Sequence, residues 1–419
     1  MYALADCNNF YASCERVFDP SLNNKPIIVL SNNDGCVIAR SDEVKKMNIK
    51  MGTPVFKIKN LIKKYNITVF STNFTLYGDI SSRVMELLSK YTPSIDIYSI
   101  DEAFLDFNYL PSKKYYQEAF KIRKEIKQYT GIPISIGIGP TKTLSKLANY
   151  IAKKNINCNG VYIINDITPI AKKIPINKIW GFGNKLSKRL HCKNIFTVDD
   201  FINTSNYIIK KTVSINGIKI KNELQGIKCY PLNKTKKKKE SICTSRSFGN
   251  MASSFNELRE AISMFAARCS EKLRNEGGCA KSITIFIASN VHRKDLKQYN
   301  NHIKINLPIA TDSTHEIIYY SLNGLKKIYK NNYQYKKCGV ILSEIRDKKY
   351  IQEFIFDEID RYKQNNISKA IDSINNRMGM DSIKYACQGI KNNNWTLKRK
   401  KLSPSYTTQW NSLPIINTK

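Results

Sequence analysis

The chain has 419 residues, and its 68 Lys and Arg residues against 34 Asp and Glu residues give a formal net charge of +34. At roughly 100–200 residues per domain, this length predicts several domains. A hydrophobic content of 42% excludes a wholly disordered chain. The positive charge favours a polyanionic partner, either nucleic acid or an anionic membrane.

Membrane and secretory classes are not favoured by the sequence. It contains no run of about 18 apolar residues, and its first residues lack the basic segment and apolar core of a signal peptide. The 11 cysteines are scattered and include no Cys-x-x-Cys pair, which argues against a disulfide framework or a zinc ribbon. We therefore expect a cytoplasmic protein without membrane partners.

Strand and helix patterns alternate over the first part of the chain. Ile27–Leu30 and Ile134–Ile138 are apolar, β-branched runs that predict buried strands. Apolar residues at helical spacing over Ile80–Leu88 and Thr141–Lys154 predict helices. This mixture predicts an α+β layered fold.

The rest of the chain divides into four segments that differ in composition and in hydrophobic pattern. Residues 166–232 have a helical pattern, and the lysine run that follows, Lys236–Lys239, predicts an exposed linker. Residues 241–347 again combine helix and strand patterns and predict a second, smaller α+β domain. Residues 348–419 are polar and basic, so we expect a tail with short ordered pieces.

Acidic residues at strand ends are the sharpest chemical feature. Asp6 ends the first apolar run, and Asp101 and Glu102 lie between two strand-like runs, Ile95–Ile100 and Ala103–Phe107. In a basic chain such carboxylates are candidate ligands for Mg²⁺, which binds oxygen ligands together with substrate phosphates. The spacing alone equally allows a polar hairpin turn without any metal.

Several longer sequence strings decide between these alternatives. They resemble, in order, the signatures of the Y-family translesion DNA polymerases, and in particular of the UmuC branch, the catalytic subunits of bacterial DNA polymerase V. The resemblance covers essentially the whole chain, and it is carried by these strings: Asp6–Ser13, Ser31–Arg40, Lys50–Pro54, Tyr77 with Ser81 and Val84, Tyr98–Asp106, Ser135–Lys142 with Lys146 and Ala152-Lys153, Tyr385–Ile390 and Leu402–Thr408.

This resemblance implies a right-hand polymerase of the α+β class. It implies a palm over residues 1–165, with fingers inserted at about 20–75, and a helical thumb over 166–232 that contains a helix–hairpin–helix. A basic linker, 233–241, would lead to a separate α+β little finger at 242–347. Residues 348–419 would be a C-terminal tail with a clamp-binding-like peptide.

The resemblance also assigns roles at the active site. Asp6, Asp101 and Glu102 match the catalytic carboxylates, which with the carbonyl of Cys7 would hold two Mg²⁺ ions. Tyr11 matches the aromatic side chain that excludes a 2′-hydroxyl. The residues implied for nucleotide binding are Phe10, Tyr11, Arg40, Lys45 and Lys153.

Further residues are implied for DNA and protein partners. Gly181 and Gly183 would present backbone N–H groups to DNA phosphates, and the linker lysines Lys236, Lys237, Lys238 and Lys239 would lie near the duplex. The peptide formed by Gln352, Phe354, Ile355 and Phe356 resembles a sliding-clamp ligand. The implied partners are primer–template DNA, deoxynucleoside triphosphates, the clamp, a UmuD′-like dimer and a RecA-like filament.

The resulting expectation is a low-fidelity DNA polymerase that extends primers past damaged bases during the SOS response, associated with the nucleoid when bound to DNA. One alternative is a non-catalytic DNA-damage scaffold, which would bind DNA without extending primers. A second alternative is a nucleotide cyclase, which would need neither the thumb nor the +34 charge and would act without DNA.

Overall fold

The computed structural model describes residues 1–233, 238–351, 357, 359–389, 395–413 and 415. It divides into two compact units. Unit 1 contains Met1–Lys236 together with Lys400–Lys419, and unit 2 contains Lys237–Arg399. Unit 1 is therefore built from two parts of the chain that are separated by the whole of unit 2. Among the described residues, no helix is long and apolar enough to cross a membrane.

Unit 1 contains two sheets. Its strands are β1 (Tyr2–Cys7), β2 (Ile27–Leu30), β3 (Val37–Arg40), β4 (Thr68–Ser71), β5 (Ile95–Ile97), β6 (Glu102–Asp106), β7 (Ile134–Gly139) and β8 (Val161–Ile163). The larger sheet has the order β5-β6-β1-β7-β8, and the smaller one has the order β3-β2-β4. Strand β1 is buried along its whole length because it is the central strand, which explains its nearly continuous apolar sequence.

The helices of unit 1 pack on these sheets or follow them in the chain. They are α1 (Phe10–Phe18), α2 (Asp42–Lys46), α3 (Lys59–Lys64), α4 (Phe74–Ser89), α5 (Tyr115–Thr130), α6 (Lys142–Lys154), α7 (Thr168–Ala171), α8 (Asn184–His191), α9 (Val198–Asn203), α10 (Asn206–Val213) and α11 (Ile215–Leu224). Helices α7–α11 bury their apolar side chains in one cluster with Leu144, Leu147 and Ala148 of α6. The predicted helical segment is thereby joined to the larger sheet.

Unit 2 is a four-stranded antiparallel sheet with helices against it. Its elements are β9 (Ser241–Ala252), α12 (Phe255–Asn275), β10 (Gly278–Ser289), β11 (Asn300–Thr311), α13 (Thr314–Ile328), β12 (Tyr335–Asp347) and α14 (Arg361–Met378). The strand order is β11-β10-β12-β9, and α12 and α13 share one apolar core with the sheet.

Several elements agree with the sequence patterns. Ile27–Leu30 is strand β2, and the predicted helix after Gly139-Pro140 is α6, which Thr141 caps by accepting a hydrogen bond from the Leu144 amide at 3.3 Å. Glu102 differs in one respect, because it is the first residue of β6 rather than part of a connecting turn.

The region expected to be a tail contains an 18-residue helix, α14. Ser368 is its one buried residue, whereas Ile367 and Ile374 are exposed. An ion pair between Arg274 of α12 and Asp372, with an Nε–Oδ2 distance of 2.6 Å, holds α14 on unit 2. Ile367, Ile371 and Ile374 recur at helical spacing in this sequence, and this was the signal that could have predicted the helix.

Candidate active site

Three acidic residues lie at one end of the central strands of unit 1. Strands β1 and β6 are antiparallel, and their register places Asp6 directly opposite Glu102. Asp101 immediately precedes β6, and its carbonyl oxygen accepts a hydrogen bond from the Cys7 amide at 2.9 Å. Residues that are far apart in the sequence are therefore brought together by strand pairing, as expected from the acidic strand ends.

Two lysines of α6 face these carboxylates. The Lys146 ammonium lies 2.6 Å from a Glu102 carboxylate oxygen, and the Lys153 ammonium forms an ion pair with Asp6. Burial raises the pKa of the Asp6 carboxyl to about 7, although the Lys153 charge opposes this shift. Burial acts in the same direction on Glu102, but a hydrogen bond with Asp6 and the Lys146 charge bring its pKa below the usual value.

Asp6 and Glu102 face each other across the β1–β6 pairing, so the negative charge of each acts on the other. Two carboxyl groups this close concentrate negative charge that cations must balance. In the part of the chain that the structure describes, no three side chains of His, Cys, Asp or Glu are grouped closely enough to hold a metal ion. Lysine ammonium groups stand beside Asp6 and Glu102 instead, and Ser99 donates a hydrogen bond of 2.6 Å to Asp101.

A cavity of about 380 Å³ opens beside these carboxylates. Strand β1, helix α1, strand β3, helix α2 and helix α6 all contribute to it. Most of the residues predicted for catalysis or nucleotide binding line its wall: Asp6, Cys7, Phe10, Tyr11, Arg40, Lys45, Asp101 and Lys153. Sequence reasoning thus identified a set of residues that the fold collects around one space.

Aromatic rings form one side of this cavity. Tyr11 stacks on Tyr77 of α4 with ring centroids 4.4 Å apart and an angle of 14° between the ring planes. Phe10 is buried beside Tyr11, with its centroid 5.8 Å from the Tyr11 ring. Tyr77 is fully buried, so the Tyr11 ring rests on a fixed surface.

Basic side chains line another part of the wall. The Nε and one terminal nitrogen of Arg40 are buried without a hydrogen-bond partner among the described residues. Buried N–H donors without partners are costly, and partial burial of the side chain lowers the Arg40 pKa. Lys45 differs from Arg40 because its ammonium is paired with Asp42, one turn earlier on α2, at 2.8 Å.

Lys146 is a site residue that sequence reasoning did not select. Besides pairing with Glu102, its ammonium lies 4.4 Å from the centre of the Tyr98 ring and 5.5 Å from that of Trp180. Its position seven residues before Lys153 was the available signal, because two helical turns bring both side chains to one face of α6.

The predicted DNA-contacting glycines lie next to Trp180. Gly181 has a φ of +83°, a conformation that favours glycine. Gly183 has a φ of −75° and directly precedes α8, so its backbone conformation does not require glycine. The Trp180 indole N–H donates to the Tyr98 hydroxyl at 3.2 Å, which connects this turn to the site.

The predicted linker and clamp peptide are only partly described. Lys238 pairs with Asp347 at 2.7 Å, and Lys239 pairs with Glu276 at 2.6 Å. Lys236 and Lys237 lie outside the described residues. The same is true of all four predicted clamp-binding residues, Gln352, Phe354, Ile355 and Phe356.

Comparison with known protein families accounts for most of the chain. The model of the impB/mucB/samB family matches residues 5–150, and the model of the C-terminal domain of that family matches residues 239–353. A domain of unknown function, DUF4113, matches residues 365–416.

Individual relatives agree with these matches. The chain is 36% identical to protein UmuC of Salmonella typhimurium over 99% of both chains, and 26% identical to DNA polymerase IV of Bacillus velezensis over 90% of this chain and 91% of the relative. Its fold is similar to that of a Y-family DNA polymerase chimera, Dbh-Dpo4(243-245)-Dbh, with a TM-score of 0.66, 22% identity and coverage of 82% of this chain and 98% of the chimera. The chain therefore belongs to the impB/mucB/samB family and is a translesion DNA polymerase of the Y family.

Proposed function

We propose that the cavity beside Asp6 is the site where an incoming deoxynucleoside triphosphate reacts with the 3′-hydroxyl of a primer. The observation that supports this most directly is the shared wall of the cavity. It combines carboxylates, an aromatic ring and unpartnered positive charge, which are the groups needed for the metal-binding, sugar-contacting and phosphate-binding parts of one nucleotide site.

Asp6, Asp101 and Glu102 would hold two Mg²⁺ ions, with the carbonyl of Cys7 completing one coordination shell. The chemistry of the donors fits this role because Mg²⁺ prefers carboxylate and carbonyl oxygens, and because the β1–β6 register places Asp6 opposite Glu102. The three carboxylates would have to move closer together to share the ions, since they are not grouped that closely among the described residues. When bound, such ions stabilise the attacking and leaving oxygens of a phosphoryl displacement.

The basic residues would hold the triphosphate and the departing pyrophosphate. Arg40 has buried donors without partners, and Lys153 borders both Asp6 and the cavity. Lys45 would contribute less than Arg40, because Asp42 already neutralises part of its charge. Positive groups fixed in this way offset charge that develops in the transition state.

The parts of a right hand can be assigned on this basis. The larger sheet of unit 1 would be the palm, the smaller sheet at 27–71 would belong to the fingers, and α7–α11 would form the thumb. The sheet of unit 2 would be the little finger. The enzyme would act on DNA in the cytoplasm, during the SOS response.

Primer extension with Mg²⁺ across an abasic site tests the proposed activity. We expect extension past the lesion, and comparison of the polymerase alone with mixtures that contain a UmuD′-like dimer and a RecA-like filament will show whether those partners are required. A non-catalytic scaffold would bind the same DNA but extend neither the damaged nor the undamaged template under any of these conditions.

The linker lysines are predicted to strengthen DNA binding without regard to sequence. Each neutralised phosphate contributes about −0.9 to the slope of log affinity against log salt on duplex DNA. Replacing Lys236–Lys239 by Ala should weaken binding on all sequences and flatten this slope. Lys238 and Lys239 have carboxylate partners, Asp347 and Glu276, that DNA phosphates would have to displace.

A charge-matched variant controls for the loss of net charge. Lys113, Lys114, Lys121 and Lys124 are exposed on or next to α5, and replacing them by Ala removes the same formal charge. An equal flattening in this control would show that total charge, and not the linker, determines the slope. An unchanged slope in the linker variant would show that the run only connects two domains.

The predicted clamp peptide should be separable from catalysis. Replacing Phe354, Ile355 and Phe356 by Ala is expected to spare extension of a short primer, because tethering to a clamp acts on the concentration of the enzyme at the primer end and not on the chemical step. It should remove stimulation by the clamp, since short peptides bind through a few apolar anchors and tethering raises the effective concentration of the enzyme at the primer end.

Three exposed residues that flank the peptide provide the control. Tyr350, Ile359 and Tyr362 are exposed, and their replacement by Ala should leave clamp stimulation intact. The direct measurement is clamp binding by each full-length variant. Binding that survives the change of Phe354, Ile355 and Phe356 would contradict the assignment of the peptide.

A further inference from the structure

Residues 400–406 return to unit 1 and pair with the edge of its smaller sheet. The Ser71 amide at the end of β4 donates to the Lys401 carbonyl at 2.8 Å, and the Lys401 amide donates to the Ser71 hydroxyl at 2.9 Å. The Lys400 amide donates to Asp34 at 2.9 Å. These contacts attach residues 400–406 to the part of unit 1 that precedes unit 2 in the chain and contains the candidate active site.

Ser403 enters the interior of unit 1. Its hydroxyl donates to Glu15 of α1 at 3.1 Å, and the Tyr77 hydroxyl donates to the same carboxylate oxygen at 2.6 Å. Glu15 is only 2% exposed, and Ser403 is 5% exposed. A buried carboxylate is costly unless hydrogen-bond donors surround it, so this segment supplies one of the donors that α1 needs.

Asn73 connects Ser403 to the start of α4. Its side-chain oxygen accepts a hydrogen bond from the Leu76 amide at 3.2 Å and so caps the helix, while its side-chain nitrogen donates to the Ser403 hydroxyl at 3.1 Å. The Ser403 hydroxyl therefore uses both its donor and an acceptor position. Together with the Ser403 and Pro404 carbonyls, to which the same nitrogen donates at 3.3 and 3.4 Å, it holds Asn73 at the beginning of the helix that carries Tyr77.

Tyr77 links Glu15 and helix α4 to the Tyr11 ring, which lines the cavity. Its hydroxyl donates a hydrogen bond to Glu15, and its ring stacks on the Tyr11 ring at a centroid distance of 4.4 Å. Tyr77 is fully buried, so a shift of Glu15 or of the start of α4 would move a ring that has no free space around it. The position of Tyr11 consequently depends on groups that Ser403 holds.

We propose that Ser403 is a positioning residue of the nucleotide pocket: through Glu15 and Asn73 it holds Tyr77, and through Tyr77 it fixes the ring of Tyr11 that faces the sugar. This inference rests on the proposed role of Tyr11 in excluding a 2′-hydroxyl. It gives the segment that follows unit 2 a function in choosing between deoxyribo- and ribonucleotides, although Ser403 itself does not line the cavity.

Sugar discrimination in the full-length polymerase tests this proposal. The quantity to compare is kcat/KM for a deoxynucleotide divided by kcat/KM for the matching ribonucleotide. Ser403→Ala is expected to lower this ratio by about tenfold, which corresponds to about 1.4 kcal/mol, with unchanged DNA affinity. Ser403→Thr keeps the hydroxyl and should retain most of the discrimination.

Two further variants separate positioning from general stability. Ser412→Ala makes the same change nearby, after residues 400–406, where the hydroxyl donates to the Gln409 side chain at 3.4 Å and to no other described residue, and should have no effect on the ratio. In a Tyr11→Ala background, Ser403→Ala should cause no additional loss, because residues that act through a shared partner are not additive.

The outcomes separate the positioning role of Ser403 from the proposed role of Tyr11, on which it rests. Unchanged discrimination in Ser403→Ala, beside reduced discrimination in Tyr11→Ala, would overturn the inference and leave the role of Tyr11 in place. A full additional loss in the Tyr11→Ala background would also overturn it. Unchanged discrimination in Tyr11→Ala itself would contradict both. Should Ser403→Ala fail to fold, Tyr77→Phe removes the other donor to Glu15 and is subject to the same criteria.

Discussion

Asp6→Asn, Asp101→Asn and Glu102→Gln are each expected to abolish primer extension while DNA binding persists. Loss of a carboxylate ligand removes several kcal/mol of transition-state stabilisation. Since about 1.4 kcal/mol corresponds to a factor of ten in rate, kcat should fall by about a thousandfold or more. Single-turnover extension, measured with saturating nucleotide and Mg²⁺, gives this rate directly.

Asp106→Asn is the matched control for these changes. Asp106 lies on the same strand as Glu102 but opposite Tyr2, at the other end of the β1–β6 pairing. It should therefore extend primers at nearly the normal rate. Near-normal turnover in a variant of Asp6, Asp101 or Glu102 would show that the residue concerned is not a catalytic ligand.

Tyr11→Ala is expected to admit ribonucleotides. The ring lines the cavity and stacks on Tyr77, so removing it opens space for the 2′-hydroxyl. Steric exclusion of one small group is typically worth about 10–200-fold in kcat/KM, and the preference for deoxynucleotides should fall by about that factor. Competition between the two nucleotides on one template measures the change.

Tyr11→Phe provides the comparison that isolates the ring. This variant keeps the stacked ring and removes only the hydroxyl, and we expect it to retain the normal preference for deoxynucleotides. If both variants lose discrimination equally, the hydroxyl rather than the ring excludes the ribose. If neither loses it, another residue performs the exclusion.

The meeting of the three acidic residues could be anticipated from the sequence. Asp6 ends an apolar run, and Asp101 and Glu102 border another, so pairing of the two strands would bring them together at the strand ends; their proposed catalytic role came from the resemblance. The wall of the cavity was predictable in a different way, because Tyr11, Arg40 and Lys153 stand in strings that resemble Y-family signatures.

The connections that support the site were not predictable by either route. Lys142 and Asp96 form a buried ion pair at 2.5 Å, and Ser403 reaches Glu15 across nearly the whole length of the chain. No periodicity relates such residues, because tertiary packing alone decides which polar groups meet in the interior. A polar segment such as 400–406 gives no apolar signal of its buried position.

The two-part construction of unit 1 affects how the polymerase matures as it is synthesised. Lys400–Tyr406 leaves the ribosome only after all of unit 2, and domains generally fold as they emerge. Until then Glu15 lacks the Ser403 donor and Asn73 lacks its Ser403 partner, while the three carboxylates proposed for catalysis, at the paired ends of β1 and β6, are already in the chain. In a nascent chain the proposed catalytic carboxylates are thus present before Ser403 can help to hold the Tyr11 ring. Joining Ser403 to Glu15 also closes a very long loop, which adds an entropic cost to the last step of folding.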